Sequence, residues 1–237
     1  MIKKILSTLL VSSALFVFLA TSSMAERPKF SLGYTAAYGG YVASGQENEG
    51  AGAVEITKEE ESGEFGYSSF FIEMSFADRI TVGASWMMDE VDTAVSERTD
   101  ALCNTASETD PRVCPRVGDT GTSKVQAEFS DLVTGYIELN IWNGLYAKYG
   151  VMEMNVETKE TLHTDSTYPN ATMDGETYGF GWKGSFDNGV FIKTETLMQD
   201  WSDLKIEATG ATGTDNNTSV EASLSGAVAT VSIGKAF

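Results

Sequence analysis

Beyond the first 29 residues, apolar and polar positions alternate with a period of two through eight segments. Successive side chains of a strand point to opposite faces, so this is the pattern of strands with one apolar face. In the first, Phe30, Leu32, Tyr34, Ala36 and Tyr38 oppose Ser31, Gly33, Thr35, Ala37 and Gly39. The second sets Phe70, Ile72, Met74 and Phe76 against Ser69, Phe71, Glu73 and Ser75. The third sets Ile80, Val82, Ala84, Trp86 and Met88 against Thr81, Gly83, Ser85 and Met87. The fourth sets Val133, Gly135, Ile137, Leu139 and Ile141 against Leu132, Thr134, Tyr136, Glu138 and Asn140. The fifth has Leu145, Ala147, Tyr149 and Val151 facing away from Tyr146, Lys148, Gly150 and Met152. In the sixth and seventh, Tyr178, Phe180, Trp182 and then Val190, Ile192, Thr194, Thr196 stand against Gly179, Gly181, Lys183 and Phe191, Lys193, Glu195. The eighth, 227–237, places Ala227, Ala229, Val231, Ile233 and Phe237 on one face, with Val228, Thr230, Ser232, Gly234 and Ala236 between them. Lys235 falls on its apolar face, where a long side chain near a boundary can carry its ammonium out to water or headgroups.

The connections come in two kinds. Three are short: residues 77–79, Asn143-Gly144, which tolerates the positive φ of a tight hairpin, and Asp187-Asn188-Gly189. Four are long and polar, at about 41–64, 89–122, 153–176 and 199–217, and all four fall on the same side of the strand array. Long structureless connections count against a compact soluble domain. Short turns on one side, long loops on the other and an even strand number fit a membrane barrel. The expected fold is therefore all-β, an eight-stranded antiparallel up-and-down transmembrane β-barrel, with ten strands as the alternative if 51–57 or 204–208 add strands. A soluble β-sandwich is the structural rival.

The N-terminus changes where such a barrel would reside. Lys3 and Lys4 precede a largely apolar run, 5–20, and a small-residue segment ending in Ala25. This predicts a cleavable signal peptide at 1–25 and a barrel at 26–237, with an uncleaved anchor helix as the alternative. The chain has 34 acidic and 16 basic residues, a formal net charge of −18. So acidic a chain repels phosphate, which argues against a nucleic-acid partner. The four long stretches hold 25 of the 34 acids and 6 of the bases, so the strand frame is close to neutral. On its inner face Glu73, Glu138 and Glu195 are matched by Lys148, Lys183 and Lys193, a set tolerable inside a narrow barrel if paired. Phe30, Phe76, Trp142, Phe186 and Phe237 gather at the short-turn end and Tyr38, Trp86 and Tyr178 at the other, as interfacial girdles would. Cys103 and Cys114, in a polar stretch of an exported chain, are expected to form a disulfide that pins a loop.

The alternating strands, the asymmetric loops and the last strand with Val231, Ile233 and a terminal Phe237 resemble the small OmpA/OmpX/OmpW-like outer-membrane β-barrels of Gram-negative bacteria. The resemblance implies location in the cell outer membrane, among outer-membrane lipids and lipopolysaccharide. It also implies that Val231, Ile233 and Phe237 form the signal read by the barrel-assembly machinery. It implies no single activity. The leading expectation is a structural or surface-interaction barrel presenting acidic external loops, monomeric, without cofactor, metal or catalysis. A narrow cation-preferring, porin-like channel is the alternative, with Gly33, Gly83, Gly150 and Gly179 leaving room for water. A lipid-modifying enzyme is a remote third, resting only on His163 with Asp165 and Ser166 nearby; such close neighbours in a loop seldom make a triad. The run Glu59-Glu60-Glu61 lacks the ligand spacing of a calcium loop and is expected to be a solvated acidic run.

Overall fold

The computed structural model describes residues 28–49, 55–77, 79–101, 120–161, 167–209 and 219–237. The strands are β1 (Lys29–Glu49), β2 (Glu55–Phe76), β3 (Ile80–Met87), β4 (Val91–Asp92), β5 (Ser96–Ala101), β6 (Thr120–Trp142), β7 (Leu145–Thr161), β8 (Ala171–Ser185), β9 (Val190–Trp201), β10 (Leu204–Glu207) and β11 (Ser219–Ala236). The order β1-β2-β3-β6-β7-β8-β9-β11 closes because β1 pairs with both β2 and β11. Every pairing is antiparallel, giving an eight-stranded up-and-down barrel. β4 and β5 are short additions along β6, and β10 along β11. The short 204–207 segment is thus a strand, but it adds no further member to the ring: it continues the wall after β9 on the same edge of β11.

The inside-outside alternation follows the sequence pattern closely. Along β9, Phe191, Lys193, Glu195, Leu197, Gln199 and Trp201 are buried while every second residue is exposed. On the outside stand Tyr34, Ile72, Met74, Leu139, Phe180, Trp182, Ile192, Val231 and Ile233, exposed from all sides of the ring. No water-soluble monomer leaves so continuous an apolar belt uncovered. With a polar interior behind it, the belt is the lipid-facing surface of a membrane-spanning barrel. Phe30, Trp142, Phe186 and Phe237 are exposed at the short-turn end. Lys235 reaches the Asn188 carbonyl there, 3.3 Å away, and lies over the Phe237 ring, so it avoids the belt. Tyr38, Trp86, Tyr149 and Tyr178 mark the far boundary, where Tyr38 and Tyr178 donate hydrogen bonds to Glu64 and Asp200.

The hairpin between β6 and β7 turns through Asn143 (φ 46°) and Gly144 (φ 83°), as its Asn-Gly sequence predicts.

Beyond the far boundary the structure departs from the expectation of loops. Residues 41–49 and 55–64 continue β1 and β2, 120–122 belong to β6, 153–161 to β7 and 171–176 to β8. About ten residues suffice for a strand to cross a bilayer, so the 21 residues of β1 and 22 of β2 carry a wall well past it. Period-two alternation fades there because both surfaces change character. The wall faces water outside, and inside it buries Leu132, Met152, Met154, Val156, Met173 and Trp201 in one apolar cluster. Tyr41 and Val228 form a second cluster with Phe65 and Tyr67 packed on it. Polarity thus inverts along the axis: a polar interior within the apolar belt, an apolar interior within the acidic wall.

A bulge at Asp131 (φ 53°) interrupts β6, whose pairing to β7 jumps from Ser130↔Asn155 to Val133↔Glu153. An aspartate tolerates this left-handed conformation. The extra residue exchanges the two faces. Below it Leu132, Thr134 and Tyr136 point inward; above it Phe129 packs on the apolar core, while Glu128 turns to Lys159. Lys159 also reaches Asp92 at 3.3 Å. The hydrogen bond that its ammonium donates to Glu128 is the main reason Lys159 titrates above the usual lysine range.

Candidate functional site: an ion-paired plug in the bore

Five of the eight wall strands send a charge into the membrane-level bore, each from an inward position of its alternation. Glu73 comes from β2, Glu138 from β6, Lys148 from β7, Lys183 from β8, and Lys193 and Glu195 from β9. The structure brings all six together. The Lys193 ammonium is central: it lies 2.6 Å from Glu73 and 3.8 Å from Glu195, and it also donates to Glu138. Lys148 spans Glu195 at 3.0 Å and Glu138 at 4.0 Å, and Lys183 stands 3.7 Å from Glu73. Three carboxylates and three ammoniums make the set neutral. Lys183 and Lys193 face each other directly across β8 and β9, a repulsive placement on its own; Glu73 reaches both and offsets it.

The pairing is completed by residues that charge matching does not reveal. Tyr136 donates to Glu73 at 2.9 Å, Tyr146 to Glu195 at 2.8 Å, and Thr230 to the other Glu195 oxygen at 3.0 Å. The Lys148 ammonium lies 3.9 Å above the Tyr136 ring and Lys183 4.0 Å above Phe191, adding cation–π attraction. Buried carboxylates need such partners, because their desolvation is costly; Glu73 Oε2 is the exception, buried without a hydrogen bond and faced only by the Lys183 ammonium at 3.7 Å. The strand pairing shows what places these aromatics: the rings of Tyr136, Tyr146 and Phe191 each lie against an inward glycine on the neighbouring strand, Gly83, Gly181 and Gly234.

That arrangement corrects the expectation that inner glycines leave a water path. A Cβ on Gly83 would sit 2.5 Å from the Tyr136 ring, one on Gly181 2.3 Å from Tyr146, and one on Gly33 2.4 Å from Phe71. Gly150 is crowded by Thr177 and Tyr136, and Gly179 by the β9 backbone. The space over these glycines is taken by rings, by Thr177 or by neighbouring backbone. We expect Gly83→Val to displace Tyr136 from Glu73 and to lower stability by about 1–3 kcal/mol, the usual range for overpacking. Urea unfolding of the detergent-refolded protein reads this directly, and an unchanged midpoint would contradict the packing described.

Above the plug lies a cavity of about 40 Å³ bordered by Thr35, Ser69, Thr134, Thr177 and Gln199. That space suits about three or four waters, at roughly 10–15 Å³ each. Next, Tyr41 donates to Gln199 at 2.6 Å across the bore, and then the apolar clusters begin. Ion pairs, a polar bridge and an apolar stack therefore follow one another along the axis.

At the chain end Val231, Ile233 and Phe237 are exposed on the outer face, and the Phe237 N–H donates to the Phe30 carbonyl at 2.8 Å. The strand offers those three side chains outward even in the closed barrel. Glu60 and Glu61 are exposed on the wall. Cys103, Cys114, His163, Asp165, Ser166 and the 1–25 segment lie outside the described residues.

No protein-family model matches the chain, and no curated protein matches it. Solved structures similar in outline include the outer membrane protein OprG from Pseudomonas aeruginosa, with 11% identity over 86% of this chain and 96% of that one, TM-score 0.45. Another is the outer membrane protein AlkL in lipid bilayers, with 12% identity over 92% and 94% and TM-score 0.45. A third is the outer membrane protease OmpT from Escherichia coli, with 10% identity over 92% and 99% and TM-score 0.46. The barrel architecture of this chain rests on its own closed strand ring.

Proposed function

We propose that this protein is an outer-membrane barrel whose bore is closed and whose working part is the acidic wall standing outside the membrane. The observation that carries the reading is the neutral six-charge plug, with side chains 0–22% exposed, beneath an apolar stack. A bore filled in this way supports a scaffold over a narrow channel. Past the tyrosine boundary, Glu60, Glu61, Glu64, Asp174, Glu176 and Asp200 are exposed, a surface that attracts cations and basic partners. Phosphate-bearing lipopolysaccharide would approach such a rim through bridging divalent cations, which take oxygen ligands readily.

Orientation and location are tested together by a short peptide tag between residues 49 and 55, where β1 passes into β2. In a Gram-negative host, an antibody applied to intact cells should label the tag, with the protein recovered in the outer-membrane fraction. Labelling only after the outer membrane is permeabilised would overturn the reading.

A further inference from the structure

Among the described residues the wall beyond the membrane is not hydrogen-bonded all the way round. β2 continues to Glu55, but its pairing with β3 stops at Ser69↔Met87; β4 and β5, which follow β3 on that side, pair with β6, and among the described residues no strand is hydrogen-bonded to that side of 55–67. At the foot of this edge the Met88 N–H donates to the Ser68 carbonyl at 3.0 Å, and the Ser68 N–H donates to the Asp89 carboxylate at 2.7 Å. Both backbone groups of Ser68 therefore face the open side. The antiparallel alternation turns those of Gly66, Glu64, Ser62 and Glu60 the same way, while the residues between them bond to β1. A regular row of backbone donors and acceptors on an extended edge is a template for one more strand.

The two faces of this edge differ. Inward, Phe65 and Tyr67 are half-buried and, with Tyr41, Met87 and Phe129, border an apolar cavity of about 40 Å³. The indole N–H of Trp201, a residue only 8% exposed, lies on the same cavity without an acceptor. Outward, Glu60 and Glu64 are exposed, and Asp89 and Glu90 stand exposed at the foot. The unpaired stretch 55–67 holds five glutamates and one lysine.

We propose that the β2 edge receives an extended segment of a partner protein as an added strand, with apolar and basic residues alternating along it. Its apolar side chains would turn to Phe65 and the cavity. Its basic side chains would turn outward to Glu60 and Glu64. A second copy of this chain is a poor guest, because it brings the same negative edge. The inference rests on the wall being the interacting part of a closed barrel.

The test uses the full mature protein in detergent micelles or nanodiscs and a fluorescein-labelled ten-residue peptide alternating valine and lysine. Its control is a peptide of the same composition with the lysines contiguous. The alternating peptide should bind saturably, at least tenfold tighter than the block isomer, and should slow hydrogen exchange at Ser62, Glu64 and Gly66. Ser62→Pro removes one edge N–H, leaves the bonds to β1 and keeps the charge; it should weaken binding at least tenfold. The E60Q/E64Q pair should weaken binding and flatten its salt dependence. Equal binding of both peptides, or binding indifferent to Ser62→Pro, would mean bulk charge attraction and would overturn the proposal. Self-association through this edge, or no binding at 100-fold excess of peptide, would do the same. A barrel that binds no strand yet conducts no ions leaves the closed-scaffold reading standing; a conducting barrel removes that reading whatever the peptide does.

Discussion

Replacing Lys193 by methionine should lower the unfolding free energy by about 3–5 kcal/mol, the cost of stranding buried charge partners. The Lys193 ammonium contacts Glu73, Glu138 and Glu195. Its removal leaves three buried carboxylates facing two ammoniums. Methionine is close to lysine in length and flexibility, so packing loss contributes little and the effect reports charge. Adding Glu138→Gln to Lys193→Met restores neutrality and should recover part of the loss. Denaturant unfolding in detergent, followed by the gel shift between folded and unfolded barrels, measures both. A single variant within about 0.5 kcal/mol of wild type, the size of an ordinary surface change, would mean that the plug is solvated and does not hold the bore together.

The second large effect is expected on the outside. Ile233 is 56% exposed and pairs with Tyr34 of β1, midway between the aromatic boundaries. Ile233→Arg should cost about 2–4 kcal/mol in a lipid bilayer, the range for a cation at the midplane of a barrel's lipid face. Ser44→Arg lies on an exposed position of the same β1 beyond Tyr38, where the wall meets water, and should change stability by less than about 0.5 kcal/mol. The contrast between the two, measured by refolding into vesicles, locates the membrane on the barrel. Equal and small costs at both sites would contradict the lipid-facing belt.

The strands within the membrane were legible because lipid outside and a polar bore inside impose a strict period of two. β9 shows this best, with Lys193 and Glu195 inward and Ile192 and Thr194 outward. Asn143-Gly144 announced its hairpin for a different, local reason: both residues accept positive φ. The wall was not legible, since outside the bilayer the faces are acidic and apolar in mixed order and Gly, Ser and Glu dominate β1 and β2. The Asp131 bulge was hidden as well: one inserted residue exchanges the faces of β6, so Phe129 and Leu132 both point inward although their spacing says otherwise. At the plug, charge matching on the inner face named the six ionic residues. It missed Tyr136, Tyr146 and Thr230, because uncharged donors carry no such signature until strand pairing sets rings over glycines. The same pairing turned the glycines from a water path into sockets.

Closure of the bore is tested most directly by planar-bilayer conductance of refolded residues 26–237, with insertion verified independently by protection of the belt from protease. The predicted result is a silent membrane for the wild type at either polarity and in both low and high salt. Discrete, reproducible current steps from verified single insertions would contradict it, and would mean that ions pass between Lys193 and its carboxylates and through the apolar stack above them.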